Sequence, residues 1–217
     1  MPADDSGTAV PCERVWGVSL DAAPVLVTGS TGHVGRMVVD QLLDTGVAVR
    51  ALARQPAKAD LPPPAEVVAG DLSKPDSLEA ALQDVSAVFL VWTLPFATAP
   101  AVVEHLARRT RRVVFLSAPH RTPHPFFQQT NPMAQLHADI EQLIADAGLM
   151  STVVRPGMFA SNALNWWAPT IRRAKAVRWP YGEAETAPVD DRDVAAVAAR
   201  TLCDDRHAGG DHVLTGP

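Results

Sequence analysis

Short apolar runs alternate along the chain with longer amphipathic stretches. Residues 25–27, 47–52, 66–69, 87–92, 113–116, 152–154 and 212–214 have the length and apolar character of strands. Residues 34–43, 75–82, 99–109, 133–147, 161–174 and 190–202 read as helices between them. Gly46 and Gly148 follow two of these helices, where glycine ends a helix without strain. The 87–92 run is apolar throughout, as a central strand is when both sheet faces are covered. Near-strict alternation of strand and helix predicts an α/β protein built on a doubly wound parallel sheet. Ligands of such a sheet bind beyond the C-terminal strand ends, here near Gly29, Arg54, Asp71, Thr93, Ser117 and Pro156.

Between the first strand and the first helix the chain reads T-G-S-T-G-H-V-G over 28–35. A glycine-spaced turn between strand and helix is the phosphate-binding opening of a dinucleotide site. It allows a tight turn, a close main-chain approach to a pyrophosphate, and a helix packed hard on its strand. The free N–H groups and dipole of the helix start then face the phosphates. Gly29, Thr31, Gly32, His33, Val34 and Gly35 are therefore the candidate cradle.

In an NAD site, a carboxylate about 20 positions past the glycines holds the ribose hydroxyls. Arg54 stands 19 positions past Gly35, with Arg50 and Lys58 nearby and no acid. A guanidinium donates in pairs to phosphate oxygens, so Arg54 predicts NADP(H), with NADPH preferred over NADH. The alternative is a solvated basic strand end. Asp71, followed by Leu72, is placed to accept from an adenine amino group or to cap the next helix. Thr93 and Pro156, at later strand ends, complete the candidate cofactor contacts.

Composition narrows the setting. The 217 residues, 47% hydrophobic, suit one domain over 24–217 preceded by a mobile arm over 1–23. Substrate-pocket elements are expected in 118–132 and 156–190. A net charge of −5 with no basic block makes nucleic acid and anionic membranes poor partners. No apolar run approaches the about 20 residues of a membrane span. Two distant cysteines, Cys12 and Cys203, fit a reducing cytoplasm, and no leader pattern opens the chain. His120 and His124 lack a carboxylate or thiol companion, so no metal site is expected.

Several pieces together resemble the atypical, NmrA-like branch of the short-chain dehydrogenase/reductase superfamily. They are the 28–35 turn, V-R-A-L-A-R at 49–54, G-D-L at 70–72, V-V-F-L-S at 113–117, H-x-x-x-E at 137–141, T-V-V-R-P-G-M-F-A-S-N at 152–162 and V-D-D-R-D-V-A at 189–195. The resemblance implies a Rossmann fold, NAD(P) binding and a substrate pocket over the nicotinamide built from the C-terminal part. Most dehydrogenases of the superfamily use Tyr-x-x-x-Lys. Here Tyr181 is the single tyrosine, and no lysine follows it at that spacing. Counting back from Glu141 and Arg155, Met133 takes the place of the Tyr and His137 that of the Lys. Longer relatives continue past the equivalent of Pro217 into a larger substrate-binding part. The resemblance therefore implies a small C-terminal portion, with a pocket that is shallow or completed by a partner subunit in a homodimer.

Hydride transfer needs a positioned cofactor more than it needs a protein acid. A quinone or enone takes hydride at carbon and its proton from water or a side chain. Ser117 is the candidate hydroxyl for a substrate oxygen. His137 is the candidate acid–base group; a ribose contact or an i,i+4 pair with Glu141 are its alternatives. Arg155 suits a buried ion pair at its strand end. Phe159, Asn162 and Trp166, with Trp167, are the candidate substrate wall, or else core packing and a loop anchor. Asp190, Asp191 and Asp193 read as a helix start favoured by the dipole. The expected activity is NADP(H)-dependent reduction of a small apolar carbonyl, enone or quinone. The rivals are a non-catalytic NADP(H) sensor that binds a protein partner, and a non-redox isomerase or dehydratase on the same fold.

Overall fold

The computed structural model describes residues 23–119, 131–179, 183 and 185–217. The expectations for the arm, for His120 and His124, for most of 118–132 and for Tyr181 lie outside the described residues.

Seven parallel strands form one sheet in the order β3-β2-β1-β4-β5-β6-β7. They are β1 (Val25–Val27), β2 (Val49–Ala53), β3 (Glu66–Ala69), β4 (Ala87–Val91), β5 (Arg112–Leu116), β6 (Met150–Pro156) and β7 (Asp211–Leu214). The helices are α1 (His33–Asp44), α2 (Ala99–Arg109), α3 (Pro132–Asp146), α4 (Asn162–Trp166), α5 (Ala168–Ala174) and α6 (Asp191–Cys203). Strand order reverses between β1 and β4, and that reversal opens a crevice beyond their C-terminal ends.

The period of two along β1 explains why both faces are covered. Val25 and Val27 join Val38, Leu42, Val194 and Ala198, on the side of α1 and α6. Leu26 joins Leu90, Leu106 and Ile140, on the side of α2 and α3. This is the doubly wound α/β fold that the alternation predicts. Among the described residues no helix is long and apolar enough to cross a membrane.

Two expected helices differ. Over 75–82 the chain makes only a 3-10 turn, Pro75–Leu78, and then further turns. The Ser77 hydroxyl donates to the Lys74 carbonyl at 2.7 Å, taking an acceptor that a helix would use. The stretch 161–174 is broken at Trp167 into α4 and α5. Pro169 has no N–H to continue the first helix, and it sits instead in the opening turn of the second.

Candidate active site

The glycine turn is fixed by its polar neighbours. The Val91 N–H donates to Thr28 Oγ1 at 2.8 Å, and the Thr28 N–H donates to the Phe89 carbonyl at 3.0 Å. Ser30 Oγ donates to the buried Leu52 carbonyl at 2.8 Å. The turn is thereby tied to β4 and β2. Gly29 has φ +61°, a left-handed conformation that favours glycine. Gly35 packs so close to Gly29 that a Cβ on it would lie 2.2 Å from the Gly29 carbonyl oxygen. Helix α1 starts with neither a side-chain cap nor an acid in its first turn. Its first N–H groups and dipole are therefore suited to an anion at the strand ends.

A cleft of about 300 Å³ runs from Gly29, Thr31 and Gly32 past Leu52, Ala53 and Arg54 to Gly70, Asp71 and Leu72, with Val91, Thr93 and Leu94 beside them. Arg54 is exposed here and has no ion-pair partner among the described residues. Arg50, its neighbour on β2, is committed elsewhere: to Glu66 at 2.7 Å and to the Ala81 and Gln83 carbonyls. Asp71 Oδ1 accepts from the Ser73 N–H at 2.9 Å. The bonds from Ser73, then the charges of Arg54 and Lys74, hold the Asp71 carboxyl below its usual range.

A second cleft of about 300 Å³ lies on the other side of the turn. It shares Gly29, Gly32, Val91 and Thr93 with the first, and adds His33, Val34, Gly35, Leu116, Phe159, Ser161, Asn162 and Asp191. Its far wall is pinned by main-chain bonds, Ala160 N–H to the Val189 carbonyl at 2.8 Å and Val189 N–H to the Met158 carbonyl at 2.9 Å. Ser161 Oγ also donates to Asp191 Oδ1 at 2.8 Å. Asp191 is buried and grips the wall from the start of α6. Asp190 does different work: it accepts from the Arg192 N–H at 2.8 Å and caps the helix, and Arg192 holds its carboxyl down to about 2. Both are acids at a helix start, so the sequence gives them one signal; only packing separates cap from wall.

Gly29, Thr31, Gly32, Arg54, Asp71, Leu72 and Thr93 therefore line the first cleft, and His33, Val34, Gly35, Phe159 and Asn162 the second. Ser117, His137, Pro156 and Trp166 line neither. Ser117 is buried; its hydroxyl donates to Glu141 and lies 3.4 Å from Arg155 Nη1. Ser117, the candidate hydroxyl for a substrate oxygen, is held in an ionic network. The centre of the network is Arg155, which bonds Glu141 through Nη1 at 2.6 Å and Nη2 at 2.7 Å. Its Nε also meets Asp211 at 2.6 Å. Burial works against the Arg155 charge, yet Glu141 and Asp211 hold the guanidinium above its ordinary value.

Glu141 turns to Arg155 and Ser117, and His137 bonds the Met133 carbonyl through Nδ1 at 2.8 Å in place of the expected i,i+4 pair. A carbonyl only accepts, so the proton is assigned to Nδ1. The His137 ring stacks on Phe115, with centroids 5.7 Å apart. Pro156 is buried in the β6–β7 pairing opposite Leu214. Trp166, just before the helix break, is exposed and stacks on Trp179, with centroids 5.3 Å apart.

Residues 29–205 match the NAD(P)H-binding domain family. A (4-alkanoyl-5-oxo-2,5-dihydrofuran-3-yl)methyl phosphate reductase of Streptomyces griseus is 39% identical over 203 residues, covering 89% of this chain and 68% of that protein. An NAD(P)H azoreductase of Xenophilus azovorans is 31% identical over 204 residues, with the same coverage of 89% and 68%. The NADPH complex of an NADPH-dependent quinone oxidoreductase from Escherichia coli matches with a TM-score of 0.74 at 25% identity, over 88% of this chain and 69% of that one. The chain spans about two thirds of the length of these relatives. With its glycine turn, its sheet order and these likenesses, the chain belongs to the NAD(P)H-binding Rossmann family, among the reductases similar to atypical short-chain dehydrogenases.

Proposed function

We propose that the protein is an NADP(H)-dependent reductase of a small, apolar carbonyl, enone or quinone. One observation carries this reading: two clefts meet at the glycine turn, one holding the exposed Arg54 and the other lined by Val34, Val91, Leu116 and Phe159 together with polar groups such as Ser161 and Asn162. The turn would hold the pyrophosphate, Arg54 the 2′-phosphate and Asp71 the adenine edge. Thr93, Phe159 and Asn162 would flank the nicotinamide and the substrate. A bound nicotinamide would supply the hydride, and these residues would orient it. Relatives named as a reductase, an azoreductase and a quinone oxidoreductase fit this chemistry. A cytoplasmic setting and a small-molecule substrate, with no nucleic-acid partner, go with it.

His137 is the group proposed to hold or pass a proton. Its Nδ1 is committed to Met133, which leaves Nε2 for that work. His137→Ala is expected to lower kcat about 100-fold while leaving NADPH affinity unchanged. An unchanged kcat would make His137 a packing residue on Phe115. Ser117 is proposed to act through the network that seats α3.

Steady-state consumption of NADPH over a panel of quinones, enones and cyclic ketones tests the function. Turnover on any class supports a reductase. Tight NADPH binding with no turnover on any class would instead favour the sensor or the non-redox enzyme.

A further inference from the structure

We propose that the surface of residues 162–179 docks the protein peripherally on an anionic lipid bilayer. Two independent features meet there. The first is exposed apolar bulk: Leu164, Trp166, Ile171, Val177 and Trp179 are five of the nine large apolar side chains exposed among the described residues, and they fall within one short stretch. Trp179 also meets Trp167 edge-on, with centroids 5.6 Å apart, so three indoles gather into one cluster. Apolar surface concentrated in this way marks an interaction site.

The second feature is charge. Arg172, Arg173, Lys175 and Arg178 lie in the same stretch, which contains no carboxylate; the next acids are Glu183 and Glu185. All four cations are exposed, and none has an ion-pair partner among the described residues. Several exposed arginines elsewhere do pair, as Arg108 does with Glu104, Arg109 with Glu79 and Arg192 with Asp190.

This combination suits a headgroup layer. Indoles settle at the boundary between acyl chains and water, and flanking Lys and Arg reach the lipid phosphates. The whole-chain charge of −5 points the other way. It acts through water, however, where charges separated by more than about 8 Å are largely screened, so the local cations govern contact. Asn162 both lines the second cleft and opens α4, so the docking face begins at the cleft wall. The docking is independent of the redox reading.

The test is co-sedimentation of the full chain with vesicles of phosphatidylglycerol and phosphatidylcholine, beside vesicles of phosphatidylcholine alone. Partition onto the anionic vesicles is expected to be at least about tenfold stronger, and to fall with added salt. A double variant, Arg172→Glu with Arg173→Glu, should lose at least about tenfold, since each basic residue near the surface contributes about fivefold. Trp179→Ala should also weaken binding. No pelleting with either vesicle, equal pelleting with both, or binding indifferent to these variants would overturn the proposal. So would a dimer in sedimentation velocity that Trp179→Ala dissociates, because the face would then belong to a second copy.

Discussion

Gly35→Ala is expected to destabilise the protein by about 3 kcal/mol and to remove measurable NADPH binding. The added Cβ would lie 2.2 Å from the Gly29 oxygen and 2.6 Å from its carbonyl carbon, both main-chain atoms with no rotamer to escape into. The Gly29 carbonyl is held in place, because it accepts from the Gly32 N–H at 2.9 Å. Thr28 and Ser30 hold either side of the turn through Val91 and Leu52. The displacement must therefore go into α1, which backs away from β1 and loosens Val34 and Val38 in the core. The same movement lifts the helix N–H groups off the phosphate position. Thermal melting and an NADPH titration read the two effects. Gly32→Ala is the milder control, since its Cβ would sit 3.2 Å from the Gly29 oxygen. A Gly35→Ala variant that melts and binds like the parent would contradict the packing argument.

Arg155→Ala is expected to cost about 4 kcal/mol, the scale of breaking a buried ion pair by removing one partner. Arg155 is 2% exposed and joins β6 to Glu141 of α3 and Asp211 of β7. Without it the Glu141 carboxylate stays buried and loses both of its bonds from the guanidinium. Asp211 is exposed and recovers its solvation. The double variant Arg155→Leu with Glu141→Leu should regain much of the loss, because taking both charges out also removes their desolvation cost. Denaturant midpoints at neutral pH measure both. A loss below about 1 kcal/mol in the single variant would show that the network is not what seats α3.

The strands were legible because buried parallel strands must be apolar runs; 66–69 matches β3 and 25–27 matches β1 at both ends. The glycine turn was legible because its backbone demands leave few other residues possible. Arg54 lines the first cleft, at the second strand end where the sequence places it, and its hold on a 2′-phosphate is the proposal tested below. What stayed hidden was the choice among neighbours. The i,i+4 spacing pointed Glu141 to His137, but a guanidinium from a distant strand offered a bidentate, charge-assisted partner. That same pairing turned Ser117 inward. Asp191 could not be told from Asp190 until Ser161 came to meet it. Trp166, a candidate for pocket wall or core, lies just before the break at Trp167 and stacks, exposed, on Trp179, a contact its helical spacing could not show.

The most direct test is a paired titration of NADPH and NADH against the parent chain and Arg54→Ala. The parent should bind NADPH more tightly than NADH. Arg54→Ala should weaken NADPH about 30-fold, the scale of a charge-assisted hydrogen bond, and leave NADH nearly unchanged. Equal losses for the two nucleotides, or NADPH binding that ignores the substitution, would contradict a 2′-phosphate held at Arg54.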